Sequence, residues 1–129
     1  MLAGNARLNP KHVLVVDDDN GQRMVLATML RQLGCTTTEA SDPKNALTIL
    51  QDDPSINLVF TDVLLPWMSG ISFLERIRVA HPTLPVVVIS ASDYSLWGSQ
   101  ALQKGAIFCL QIPFFKRDLV AALEAAQIA

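Results

Sequence analysis

The chain has 129 residues, a length typical of one folded domain, so it has no room for a second domain of ordinary size. Half of its residues are hydrophobic and 17% are charged, a composition that excludes intrinsic disorder. Ten basic and twelve acidic residues give a net charge of −2, and no stripe of Lys and Arg indicates a nucleic-acid or anionic membrane surface. We therefore expect one globular domain that does not bind nucleic acid directly.

Apolar runs and amphipathic stretches alternate from the start of this domain. A β-branched run at 12–16, ended by three aspartates, predicts a strand buried on both faces. The helix predicted next is capped by Asp19 or Asn20 and ended by Gly34, and a Thr-rich strand follows at 35–40. Pro43 opens a second helix, which Pro54 breaks.

The second half of the chain repeats the alternation. A predicted strand at 57–62 ends in Asp62, and a loop with Pro66 and Gly70 leads to a helix at 71–80. The remaining predicted elements are a very apolar strand at 84–90, a helix at 92–104, a strand at 106–112 and a helix at 114–127. Strands that alternate with helices form a parallel sheet covered on both faces. We therefore predict a doubly wound α/β fold with a five-stranded parallel sheet and five helices.

The ends of the chain and its cysteines suggest no targeting segment or metal cluster. Residues 1–11 lack the apolar run of a signal peptide, and we expect a polar arm there, followed by a domain at 12–129. No stretch reaches the roughly 18 apolar residues of a membrane span, so we expect no membrane partner and a cytoplasmic location. Cys35 and Cys109 lack zinc-site spacing, and two buried free thiols are favoured over a disulfide.

Polar side chains follow three predicted strands at the edge where such sheets bind ligands. Asp17, Asp18 and Asp19 follow the first strand, Asp62 ends the third and Ser90 ends the fourth. Clustered carboxylates repel one another unless a cation neutralises them, and their oxygens suit Mg²⁺. A metal-bound carboxylate can attack phosphorus while a nearby hydroxyl stabilises the phosphoryl oxygens. The pattern predicts a magnesium site with Asp62 as the nucleophile.

Several short motifs keep a fixed distance from these strand ends. Pro66 and Gly70 stand four and eight residues after Asp62. Three further motifs are Ser90-Ala91, the Lys104-Gly105-Ala106 run near the fifth strand, and Pro113-Phe114 after it. With the acidic pair after strand one, this pattern resembles the receiver domain of two-component response regulators over nearly the whole chain.

The resemblance implies a flavodoxin-like strand order, 2-1-3-4-5, and a role for each polar residue at the sheet edge. Asp62 matches the phosphoacceptor, and Ser90 matches the hydroxyl that follows the phosphoryl group. Asp18 matches a direct ligand of Mg²⁺, and Asp17 matches the residue that holds metal-bound water. Leu64 inherits the position whose backbone carbonyl binds the metal.

The resemblance also implies partners. The phosphoryl group would come from a histidine kinase or a histidine phosphotransfer protein, and the chain itself would not be an enzyme. The fourth helix, fifth strand and fifth helix would form a surface for an effector or a homodimer, with Trp97 a candidate contact. Trp67, five residues past Asp62, is a candidate fluorescent reporter of metal binding.

Two residues depart from the family pattern. Ile112 stands where the family has a lysine that reaches the phosphoryl oxygens, and Lys116 could replace it only by reaching back. Cys109 stands where Tyr or Phe is common. Both changes affect signalling rather than metal binding.

Two other functions fit part of the pattern. A pseudo-receiver would keep the fold but act as a docking module without phosphorylation, and Ile112 is its best support. The Asp17-Asp18-Asp19 run also resembles the motif of haloacid-dehalogenase-type phosphatases, whose nucleophile is the first aspartate. Such enzymes need a lysine and a late acidic pair, for which the chain offers only the separated Asp118 and Glu124. We favour the phosphoacceptor because all the acids and the Ser-Ala pair are present.

Overall fold

The computed structural model describes residues 11–63, 65, 68–90 and 94–128, and the side chains of 94–97 and 128 are outside this description. Its strands are β1 His12–Val16, β2 Thr36–Ala40, β3 Leu58–Asp62, β4 Val86–Ser90 and β5 Phe108–Gln111. Its helices are α1 Asn20–Gln32, α2 Pro43–Asp52, α3 Gly70–Ala80, α4 Tyr94–Gln103 and α5 Lys116–Ile128. The predicted alternation of five strands and five helices is confirmed.

Some predictions concern residues outside this description. They are the polar arm up to residue 10, the metal-binding carbonyl of Leu64, and the roles of Pro66, Trp67, Ala91 and the Trp97 side chain. These remain predictions.

The strands form one parallel sheet in the order β2-β1-β3-β4-β5, as the resemblance implies. Val16 pairs with Thr61 across β1 and β3, and Asp62 pairs with Ile89 across β3 and β4. Ser90 pairs with Gln111 on β5. This register places the carboxyl ends of β1, β3 and β4 at a single edge, which we call the rim.

The central strands are buried on both faces, as the apolar run at 12–16 predicts. On one face, alternate strand residues such as Leu14 and Val59 pack against α2, α3 and α4. On the other, Val15 and Phe60 pack against α1 and α5. Burial of each large apolar side chain stabilises the fold by about 1.5–3 kcal/mol, so these two layers hold the strand ends in place.

Two elements at the fifth strand are shorter than predicted. The backbone N–H of Ile112 donates to the Ser90 carbonyl at 2.9 Å, but Pro113 has no N–H and ends the pairing. Helix α5 begins at Lys116 rather than 114 because the Asp118 carboxylate accepts the backbone N–H of Phe115 at 2.6 Å. That contact satisfies a donor just before the helix, as in a capping box.

Both cysteines are free, as predicted, but each is only partly buried. Burial raises the pKa of the Cys35 and Cys109 thiols above the ordinary range of a cysteine. The thiol of Cys109 donates to the Gly98 carbonyl at 3.4 Å. Among the helices within the described residues, none is long and apolar enough to cross a membrane.

The turn after α1 favours a glycine. Gly34 has a φ of +97°, and its N–H donates to the Arg31 carbonyl at 3.0 Å while Cys35 donates to Leu30. No atom outside its immediate neighbours lies within 4 Å of a β-carbon built on Gly34, so only the backbone conformation opposes a side chain there.

We predict that Gly34→Ala lowers the free energy of unfolding by about 1 kcal/mol, because a β-carbon disfavours positive φ. Gly34→Asn should cost less, since asparagine adopts this conformation more readily. Urea unfolding of the three proteins measures the difference. Equal losses for alanine and asparagine would contradict this account.

Candidate functional site

A cavity of about 640 Å³ opens at the rim between β1 and β3. It is lined by Asp17, Asp18, Asp19, Gln22, Asp62, Leu65 and Ser69. Three of the predicted site residues, Asp17, Asp18 and Asp62, therefore share one pocket. Ser90 ends the neighbouring strand at the same rim but is outside the pocket lining, and its side chain is nearly buried.

Asp17 is the buried member of the acidic group, with 1% of its surface exposed. One carboxylate oxygen accepts the backbone N–H of Asp19 at 2.9 Å, and the other accepts the side-chain amide of Gln22 at 2.6 Å. Burial raises the pKa of Asp17, and the charges of Asp62 and Asp18 raise it further against these hydrogen bonds. Burial and the neighbouring charges therefore disfavour the charged form of Asp17, while the two hydrogen bonds stabilise it.

The three consecutive aspartates have different surroundings. Asp19 caps α1, accepting the backbone N–H of Gln22 at 3.0 Å. Asp18 is exposed and lines the pocket. The capping interpretation therefore explains only Asp19, and it leaves Asp18 available to the pocket.

The guanidinium of Arg23 braces the loop behind these acids. It donates to the Asp17 carbonyl at 2.7 Å and forms a 3.0 Å ion pair with Glu39 on β2. A further contact, at 2.7 Å, joins it to the Asn20 side chain. Sequence reasoning missed this role, because nothing in the local pattern indicates that a helix arginine reaches both a loop carbonyl and the next strand.

Sequence reasoning also missed Gln22. Its amide nitrogen lies 2.6 Å from Asp17 Oδ2 and 3.3 Å from Asp62 Oδ2. The amide therefore bridges a carboxylate that follows β1 and a carboxylate that ends β3. The one available signal was its position three residues after the Asp19 cap, where a glutamine often participates in capping.

The backbone directly after Asp62 is held by two hydrogen bonds of Val63. The N–H of the next residue, Val63, donates to the Ile89 carbonyl of β4 at 2.9 Å. Behind the strand end, the N–H of Gly70 donates to the Val63 carbonyl at 2.6 Å. A β-carbon on Gly70 would overlap the Asp62 carbonyl oxygen and Val63, which explains why glycine stands eight residues after Asp62.

The donor chemistry of the pocket fits Mg²⁺. Within the described ranges, no three His, Cys, Asp or Glu side chains are close enough to enclose a metal by themselves. Magnesium does not require such a cage, because it commonly binds one or two carboxylates and keeps several waters. A divalent cation would also relieve the repulsion that the charges of Asp62 and Asp18 exert on Asp17.

Ile112 lies at the carboxyl end of β5, beside Ser90. It is half-buried, and its side chain packs against the core layer under α1 and α5. Lys116 begins α5 and is exposed. The position that the resemblance assigns to a lysine is therefore apolar at the rim.

We predict that Gly70→Ala lowers the free energy of unfolding by about 1–3 kcal/mol, because the added carbon overlaps the backbone at the end of β3. The matched variant Gly21→Ala should cost less, since its β-carbon meets only the Asp19 carboxylate, at an ordinary 3.4 Å. Urea unfolding measures both. A Gly70→Ala protein as stable as wild type would show that the loop yields without cost.

Comparison with known proteins agrees with the fold. The model of the family "Response regulator receiver domain" matches residues 13–124. The chain is 32% identical to the two-component response regulator ORR11 of Oryza sativa subsp. indica and 36% identical to the transcriptional regulatory protein CpxR of Escherichia coli K12. Those alignments cover 75% and 88% of this chain but only 67% and 47% of the relatives, so the chain spans about half the length of CpxR.

Solved structures give the same answer. A response regulator receiver domain protein of Clostridium thermocellum superposes with a TM-score of 0.86 at 26% identity, covering 92% of this chain and 94% of that one. The receiver domain of NtrX from Brucella abortus gives 0.84 at 32% identity, covering 91% and 99%. On the family match, the relatives and the shared strand order, this chain belongs to the receiver domains of two-component response regulators.

Proposed function

We propose that this domain accepts a phosphoryl group on Asp62 from the phosphohistidine of a histidine kinase or a histidine phosphotransfer protein, in a reaction that requires Mg²⁺. The chain is then a phosphoacceptor rather than an enzyme, and its proposed location is the cytoplasm, as the family resemblance implies. The observation that carries the proposal is the single pocket shared by Asp17, Asp18 and Asp62.

The proposed transfer is a displacement at phosphorus. A carboxylate oxygen of Asp62 attacks the phosphoryl group, the P–N bond breaks, and the imidazole leaves with the electron pair and takes up a proton. When bound, Mg²⁺ would neutralise charge on the carboxylates and the phosphoryl oxygens. Asp18, Asp62 and the Leu64 carbonyl would hold it, with Asp17 acting through bound water.

Two features of the rim support these roles. Asp62 is only half-buried, so a partner's phosphohistidine can reach its carboxylate. The Ser90 backbone lies one residue beyond the partner of Asp62 on β4, a position from which its hydroxyl would donate to the bound phosphoryl group. Asp17, by contrast, is buried and both of its oxygens accept hydrogen bonds. That environment favours Asp62 over Asp17 as nucleophile and disfavours the phosphatase alternative.

We further propose that the output surface is formed by α4, β5 and α5. Strand β5 is at the edge of the sheet, and a cavity of about 260 Å³ lies beside it. Leu102 on α4 is 48% exposed, and Phe115 just before α5 is 62% exposed. Exposed apolar side chains favour association, which supports an effector or a homodimer as the partner of this surface.

We predict that wild-type protein incubated with Mg²⁺ and phosphoramidate, a small donor with a P–N bond, gains the mass of one phosphoryl group. Asp62→Asn should gain none, because an amide is not a nucleophile, and removal of Mg²⁺ with EDTA should abolish the gain. Intact-mass spectrometry measures all three.

Asp52→Asn, at the exposed end of α2, is the matched control and should be labelled like wild type. Absence of labelling in wild-type protein by this donor and by cognate phosphorylated kinase would favour the pseudo-receiver. Labelling that persists in Asp62→Asn would place the acceptor elsewhere.

The apolar Ile112 predicts weak coupling between phosphorylation and β5. A lysine at this position would add a charge-assisted hydrogen bond to the phosphoryl group, worth about 1.5–3 kcal/mol. We therefore predict that Ile112→Lys enlarges the amide chemical-shift changes on α4 and β5 when a beryllofluoride mimic is added.

The control is Ile107→Lys, which introduces the same charge ahead of β5, away from the rim, and should leave the response unchanged. If wild-type protein already gives a response as large as Ile112→Lys, then another group, of which Lys116 is the nearest in sequence, performs the role of the lysine.

A further inference from the structure

The bridge made by Gln22 is a local departure from ordinary helix capping. Asp19 caps α1, and Gln22 occupies the third helical position, from which a glutamine side chain commonly accepts the N–H of the cap residue. Here the N–H of Asp19 is taken by Asp17 Oδ1 at 2.9 Å. The side chain of Gln22 therefore does not take part in capping, and its amide lies in the wall of the acidic pocket.

The Gln22 amide contacts two carboxylates with one nitrogen. Its NH₂ group carries two hydrogens, and its nitrogen lies 2.6 Å from Asp17 Oδ2 and 3.3 Å from Asp62 Oδ2. One donor group thus joins two carboxylates, one that follows β1 and one that ends β3. Because Gln22 is half-buried and its backbone belongs to the first turn of α1, the amide is held at this place by the helix.

The amide contacts one oxygen of each of two carboxylates that take part in the proposed magnesium site. In the proposed reaction Asp62 binds Mg²⁺ and Asp17 holds metal-bound water. An NH₂ group donates hydrogen bonds but has no lone pair to offer a metal, so the Gln22 amide competes with a cation for the carboxylate oxygens that it contacts.

We propose that Gln22 is a positioning residue that joins Asp17 to Asp62 while the cation is absent, and that displacement of its amide lowers the affinity of the pocket for Mg²⁺. This inference rests on the proposed function, because it takes the pocket to be the magnesium site. Gln22 would then stabilise the metal-free pocket relative to the metal-bound one.

The test compares Gln22→Leu with wild type in Mg²⁺ titrations by calorimetry and in thermal unfolding with EDTA or with saturating Mg²⁺. Leucine has a similar size but no amide. The dissociation constant of the Gln22→Leu protein for Mg²⁺ should be lower than that of wild type by roughly fivefold or more, which means tighter binding. This change is equivalent to one lost hydrogen bond in the metal-free state. The loss of melting temperature should be larger in EDTA than in Mg²⁺, a difference that a merely structural role would not produce.

Two controls define the outcome. Gln51→Leu, the same change on the exposed surface of α2, should leave the Mg²⁺ affinity unchanged. In wild-type protein, the side-chain amide protons of Gln22 should shift as Mg²⁺ is added, a measurement that does not depend on a variant's folding.

A Gln22→Leu protein that binds Mg²⁺ as wild type does, or more weakly, overturns the inference and leaves the proposed function standing. Unmoved Gln22 amide signals during a titration that shifts Asp62 overturn it as well. Absence of Mg²⁺ binding in wild type at millimolar concentrations would instead overturn the magnesium-dependent function, and this inference with it.

Discussion

Parallel pairing between β1 and β3 is the constraint on which the site depends. It aligns Val16 with Thr61, so the residues that follow both strands emerge side by side at the rim. Each aspartate there would be better solvated apart from the others. The fold keeps them together because moving either strand end would expose a layer of buried apolar side chains.

The carboxylates at the rim repel one another, and nearby hydrogen bonds offset this repulsion. Hydrogen bonds from the Asp19 backbone and the Gln22 amide stabilise the charged form of Asp17 against burial and against neighbouring charges. Arg23 fixes the loop from behind by joining it to Glu39 on β2. The sheet holds the carboxylates in fixed positions, and their like charges repel one another. Binding of a ligand that neutralises these charges is therefore favourable.

The parts of the fold and site that depend on pattern were predictable. Apolar runs indicate the central strands β1, β3 and β4, because burial on two faces demands near-continuous apolar sequence. Helical spacing and stop residues indicate the helices between them. The same reasoning places Asp17, Asp18 and Asp62 at one rim, since it needs only the ends of parallel strands. The family resemblance correctly gives the strand order, for which pattern alone has no rule.

The contacts of long side chains were not predictable in this way. Gln22 and Arg23 are ordinary residues of a helix's first turn, and their roles depend on which acceptors lie within reach of flexible side chains. The different surroundings of Asp17, Asp18 and Asp19 have the same origin, because they depend on which hydrogen-bond donors lie within reach of each carboxylate. The start of α5 likewise involves a side-chain contact, in which the backbone N–H of Phe115 donates to the Asp118 carboxylate.

The order of the strands also determines which strands lie at the sheet edges, where another chain could add a strand. Strands β2 and β5 are the edges of the sheet, so the backbone groups on their outer sides have no neighbouring strand. The sequences of both strands make them poor partners for another strand. Strand β2 is rich in threonine and carries Glu39, while β5 has four residues and gives way to a proline two positions later. Short, charged or proline-flanked edges discourage strand addition from another chain. We therefore expect these edges to disfavour aggregation by sheet extension, so that contacts between molecules form through side-chain surfaces.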